Sequence, residues 1–118
     1  MLRADTHVVA TTAHLSAVAW IDRRHALVAR NAADGEHTLT EVLPRDRAEH
    51  PDDTYLARVV DEIGDRERVV ILGPGSLRLA LEREYVSRFH RPDRLVDVEP
   101  SGLIGREALI SRLQTLAT

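Results

Sequence analysis

The stretch Val69-Val70-Ile71-Leu72-Gly73-Pro74-Gly75-Ser76 constrains this chain more than any other. Four consecutive apolar residues, three of them β-branched, predict a buried strand, and the Gly-Pro-Gly that follows can extend neither a strand nor a helix. Directly afterwards Leu77, Leu81, Tyr85 and Phe89 recur at helical spacing with Arg and Glu between them. The chain therefore turns sharply and leaves as a helix, which is the elementary α/β unit. Such a turn aims backbone N–H groups and the positive end of a helix dipole at one small volume. Gly73, Gly75, Ser76 and Arg78 are its candidate ligand or RNA-binding residues. As a nucleotide motif it lacks the P-loop lysine and the third glycine of a dinucleotide fingerprint. Its plain alternative is structural, with glycine supplying a positive φ and close helix–sheet packing.

Upstream of this unit, Ser16 to Asp22 alternates as a strand, with Val18 and Trp20 on one face and Ala17, Ala19 and Ile21 on the other. Arg23-Arg24 turns the chain, His25 to Arg30 gives a second strand, and Asp34-Gly35 is a strong hairpin-turn signal. Thr38 to Leu43 alternates polar and apolar as a third strand. Pro44 through Asp53 is a polar loop, the longest connection and the one expected to move most. Leu56, Val59, Val60 and Ile63 then mark an amphipathic helix, with Asp52, Asp53 and Thr54 as capping candidates and Gly64 as its stop.

After the Gly-Pro-Gly unit, whose helix Pro92 should end, Leu95 to Val98 is a short strand, and Ala108, Leu109, Leu113 and Leu116 mark a last helix. Residues 1–14, through His7 to Thr12, offer a candidate extra strand at the sheet edge. The predicted order is βββ-α-β-α-β-α in one α/β domain spanning residues 1–118. A meander of three antiparallel strands, extended by Val69–Leu72 and Leu95–Val98 through right-handed crossovers, makes one mixed sheet with helices on its faces. That order is the one used by ribonuclease-H-like folds.

At 118 residues the chain can bury a core without metal or disulfide staples, and with no cysteine it has no thiol chemistry. Hydrophobic content of 43% beside charged content of 30% fits a soluble globular domain. No apolar run approaches the ~18 residues of a membrane span. Met1-Leu2-Arg3-Ala4-Asp5 lacks the apolar core of a signal peptide, so a cytoplasmic location is expected. Net charge is −3, which argues against coating nucleic acid over a large surface. Any RNA contact should be local.

Few residues suggest catalysis. A ribonuclease-H-type nuclease needs several carboxylates converging on two metal ions. Asp22 stands where one could lie, but Val69–Leu72 brings no acid to the matching strand edge, so a turn role for Asp22 is favoured. Asp22, Arg23 and Arg24 nonetheless join the candidate ligand or RNA-binding residues. His7, His14, His25, His37, His50 and His90 lack ligand-like spacing, so no metal and no cofactor is implied. Gly75-Ser76-Leu77 lacks the trailing glycine of a nucleophile elbow. Arg78, Arg83, Arg88, Arg91 and Arg94 form a locally basic region that Glu82 and Glu84 dilute, which reads as a solvated helix face.

Val18-Ala19-Trp20-Ile21-Asp22-Arg23-Arg24-His25-Ala26, then Asp34-Gly35, a histidine- and acid-containing loop, Tyr55 opening a helix, and Val69 to Gly75 together carry a resemblance. The chain resembles the small bacterial "translational machinery" proteins, which are related to the middle domain of eukaryotic and archaeal class-1 peptide release factors and to Pelota. The resemblance covers roughly residues 17–117 and implies a ribonuclease-H-like middle domain associated with ribosomes or their RNA. In release factors, peptidyl-tRNA hydrolysis depends on a Gly-Gly-Gln loop. This sequence has none, and its only glutamine is Gln114. The leading expectation is a non-catalytic, ribosome- or RNA-associated accessory protein that is not an enzyme. Two alternatives stand beside it: a small-ligand or anion-binding regulatory domain using the Gly73-Pro74-Gly75 turn, and a homo-oligomerising module pairing through a sheet edge.

Overall fold

The computed structural model describes residues 13–45 and 53–118. Within them lie β1 (Ser16–Ile21), β2 (Ala26–Asn31), β3 (His37–Val42), α1 (Asp53–Ile63), β4 (Arg68–Gly73), α2 (Leu77–Phe89), a 3₁₀ turn at Pro92–Arg94, β5 (Leu95–Pro100) and α3 (Arg106–Ala117). The expected βββ-α-β-α-β-α order is the observed one. The candidate strand in residues 1–14 falls almost wholly outside the described residues, as does most of the Pro44–Asp53 loop.

The five strands form one mixed sheet in the order β3-β2-β1-β4-β5. β1 pairs antiparallel with β2 and parallel with β4, with Ala19 opposite both Val28 and Ile71. Lying between two neighbours and covered on both faces, β1 is buried along its whole length. Its side chains divide as the alternation predicts. Ala17, Ala19 and Ile21 join Val69 and Ile71 beneath α1 and α2, where Tyr55, Val59, Val60, Ile63, Leu81 and Tyr85 close the core. Val18 and Trp20 join Val70 and Leu72 beneath Leu109 and Leu113 of α3. Each fully buried Val, Leu or Ile contributes about 1.5–3 kcal/mol, so two helices on one face and one on the other hold the sheet from both sides.

Several sequence expectations need adjustment. His25 belongs to the β1–β2 turn rather than to β2, and β2 runs on to Asn31. α2 stops before Pro92: His90 takes a left-handed conformation with φ 58, and its N–H caps the helix on the Val86 carbonyl. Proline instead opens the following 3₁₀ turn. In α3 it is Ala117, with Leu109 and Leu113, that is buried, while Ala108 faces solvent.

Asn31, the one buried amide of the sheet, ties separate segments together. Its Oδ1 accepts the Ser16 N–H at 2.7 Å, its Nδ2 donates to the His14 carbonyl at 3.0 Å, and its own carbonyl accepts Arg66 Nη1 at 2.5 Å. A buried amide is retained only when its polar atoms are satisfied in this way.

Candidate functional site

Because β1 and β4 run parallel as neighbours, with Trp20 opposite Leu72, their C-terminal ends reach the same edge of the sheet. In open α/β sheets that edge is where ligands bind. Two turns leave it side by side.

The first turn, Asp22 to His25, is held by its own aspartate. Asp22 Oδ1 accepts the N–H groups of Arg24 at 2.7 Å and His25 at 2.9 Å, and the Asp22 N–H donates to the His25 carbonyl at 3.0 Å. This is the turn role favoured for Asp22 from sequence. The Tyr55 hydroxyl donates to the Asp22 carbonyl at 2.9 Å, and the His25 ring lies 5.2 Å from that of Trp20. Burial first, and the Asp22 carboxylate second, raise the Tyr55 pKa well above its ordinary value, so the phenol stays a donor even into the alkaline range. Arg23 and Arg24 project from this braced turn into solvent.

The second turn joins β4 to α2. A Cβ on Gly73 would stand 2.2 Å from the Ile21 carbonyl oxygen, so glycine is dictated there by the backbone of the neighbouring strand. The close packing expected of this residue is thus within the sheet, against β1, and not between sheet and helix. Gly75 has φ +65 with nothing near its Cβ position, so it is there for its backbone conformation. Ser76 precedes α2 without capping it through its side chain, and the first turn of α2 carries no acid. Arg78 folds back so that its guanidinium donates to the Gly75 carbonyl.

Between the turns lies a cleft of about 630 Å³, lined by Asp22, Arg23, Arg24, Leu56, Pro74, Gly75, Ser76, Leu77 and Ala80. Five of the seven residues singled out from sequence, Asp22, Arg23, Arg24, Gly75 and Ser76, therefore meet around one space. Gly73 lies behind it, packed on β1, and Arg78 is not among its lining residues. Leu56, Pro74, Leu77 and Ala80 add an apolar contribution; the sequence placed Leu56 and Leu77 on helix stripes and Pro74 in the turn, and did not single out Ala80. The β5–α3 loop is fastened to the same strand ends: Ser101 N–H donates to the Gly73 carbonyl at 3.0 Å and Trp20 Nε1 to the Gly102 carbonyl at 2.9 Å. Two arginines and a helix N-terminus make this edge receptive to an anion.

The arginines at the end of α2 and around the 3₁₀ turn that follows it are differently placed. Arg88 pairs with Asp61, Arg91 with Asp93 and Arg94 with Asp65. These acids lie outside α2 and add to the dilution expected from Glu82 and Glu84. Among the described residues no group of three or more His, Asp or Glu is arranged to hold a metal ion, and no helix is long and apolar enough to cross a membrane.

No protein-family model matches the sequence, and no curated protein matches it. Solved structures do. Pelota from Archaeoglobus fulgidus matches with a TM-score of 0.62 at 13% identity, over 92% of this chain and 33% of that one. Pelota from Thermoplasma acidophilum matches with a TM-score of 0.60 at 14% identity, over 98% of this chain and 38% of its own. Dom34 from S. cerevisiae, a translation termination-like factor involved in RNA quality control pathways and interacting with Hbs1, matches with a TM-score of 0.52 at 10% identity, over 86% and 35%. The chain thus spans between a third and two-fifths of the length of these proteins. The likeness to Pelota expected from the sequence is met in the fold: a ribonuclease-H-like α/β domain similar to a part of Pelota and Dom34.

Proposed function

We propose that this domain is a ribosome- or RNA-associated accessory protein of translation, non-catalytic and without peptidyl-tRNA hydrolase activity. The observation that carries the reading is the cleft at the shared strand edge. There Arg23 and Arg24 stand on a turn braced by Asp22 and Tyr55, opposite the α2 N-terminus. Such a site suits a phosphate of an RNA backbone, contacted locally by a chain whose net charge is −3. Its overlap with a segment of Dom34, a translation termination-like factor, supports the same assignment. The release reaction is not part of the proposal. The sequence contains no Gly-Gly-Gln, and Gln114 sits exposed on α3, away from the cleft lining.

Pull-down of the tagged chain, with identification of the RNA and protein it retains, tests this directly. Ribosomal RNA and ribosomal proteins are expected, and a preparation that retains neither contradicts the proposal. The same cleft favours a second reading, a small phosphorylated ligand with a regulatory role. Thermal unfolding against nucleotides and phosphorylated metabolites would then show stabilisation that Arg24→Ala removes, and no shift with any of them counts against it.

A further inference from the structure

The two edges of the sheet are finished differently. β5 carries the devices that stop an edge from pairing: a register shift opposite Val69/Val70 that leaves Val96 as an extra residue, a terminal proline at Pro100, and acids at Asp97 and Glu99. β3 carries no proline and keeps its pairing with β2 in regular register from Val42 to His37.

The outward groups of β3 follow from the hairpin. Ala32 N–H donates to the Glu36 carbonyl at 2.7 Å, on the same ladder as the β2–β3 register. In an antiparallel pair hydrogen-bonded partners alternate, so Arg30·Thr38, Val28·Thr40 and Ala26·Val42 exchange the bonds within the sheet. The N–H and C=O groups of His37, Leu39 and Glu41 therefore point away from β2. Their side chains share the α3 face, with His37 and Glu41 exposed and Leu39 partly buried.

We propose that β3 pairs antiparallel with β3 of a second copy of this chain, with Leu39 opposite Leu39 on a two-fold axis. The register is self-complementary. His37 faces Glu41 of the second copy and Glu41 faces its His37, placing an imidazole N–H against a carboxylate twice. Thr38 faces Thr40 of the second copy, and the outward backbone groups of His37, Leu39 and Glu41 all find partners. Directly opposed polar and opposite-charge pairs of this kind stabilise a sheet, and like charges in the same positions destabilise it. The result is an isologous dimer with one continuous sheet, and the cleft at the far ends of β1 and β4 plays no part in its formation.

Sedimentation velocity on the full chain over a range of concentrations tests this, with circular dichroism confirming the fold of each variant. The wild type should form a dimer. His37→Glu or Glu41→Arg alone should raise its dissociation constant about tenfold: the first sets carboxylate against carboxylate at both ends of the pairing, and the second leaves both imidazole N–H groups without their acceptor. The double variant, which places a carboxylate opposite a guanidinium in the same register, should restore it. The chain has no cysteine, so Leu39→Cys provides a second readout: mild oxidation should link two chains through it, whereas Val96→Cys should not. A wild type that stays monomeric at every concentration overturns the proposal. So does a dimer indifferent to both charge reversals, or one cross-linked equally well from Val96→Cys.

Discussion

Gly73 and Gly75 stand two residues apart in one turn and are glycines for different reasons. Gly73 faces inward, where the Ile21 carbonyl leaves no room for a Cβ. Gly75 faces open space and is constrained only by a left-handed φ of +65. The contrast extends to their surroundings. Behind the turn, β1 and β4 are packed on both faces and the β5–α3 loop is bonded to the Gly73 carbonyl. In front of it lie Arg23, Arg24 and the start of α2, around solvent. One strand edge thus joins a closed back, which sets the fold, to an open front lined by exposed arginines.

Substitutions should separate the two. Gly73→Ala is expected to have the largest effect, about 3 kcal/mol or more of lost stability, because the atom it meets belongs to backbone and has no rotamer to yield. Urea unfolding monitored through Trp20 checks it. A loss below about 1 kcal/mol would show that β1 and β4 separate easily, and the back would not be closed. Tyr55→Phe removes the hydroxyl that donates to the Asp22 carbonyl and should cost about 1 kcal/mol. It should also alter the alkaline behaviour. The folded pKa of Tyr55 lies above its ordinary value of 10.0, so the folded state holds a proton that the unfolded chain releases. Stability contributed by this group is full below pH 10.0 and falls as the pH rises further. That fall should be shallower in Tyr55→Phe, though Tyr85, shifted upward mainly by burial, retains part of it. Gly75→Ala should cost about 1 kcal/mol, the penalty of a left-handed alanine, with Gly75→Asn milder. Arg24→Ala, at the exposed front, should change stability by less than about 0.5 kcal/mol.

Much of this division is legible in the residues themselves. The alternation of Ala17, Ala19 and Ile21 with Val18 and Trp20 predicts a strand buried on both faces, and Gly-Pro-Gly marks where the neighbouring strand must turn. Asp22 is recognisable as a turn residue because its carboxylate is short enough to reach the N–H groups just ahead of it. What sequence conceals is set by distant partners. Gly73 is fixed by Ile21, 52 residues before it in the numbering, and no local pattern carries that. Asn31 looks like an ordinary residue entering a hairpin until Ser16, His14 and Arg66 are seen around it. Arg88 and Arg94 look like parts of a basic region until Asp61 and Asp65 are brought alongside. The cleft belongs to the same class, since its two turns lie far apart in sequence and meet only because β1 and β4 are parallel neighbours.

Sucrose-gradient sedimentation of lysates tests most directly the proposal that this domain meets RNA through its open front. The wild type should migrate with ribosomal particles, and the Arg23→Ala/Arg24→Ala double variant, folded by circular dichroism, should remain at the top of the gradient. A wild type confined to the top under several growth and stress conditions, or a double variant that sediments unchanged, would contradict it.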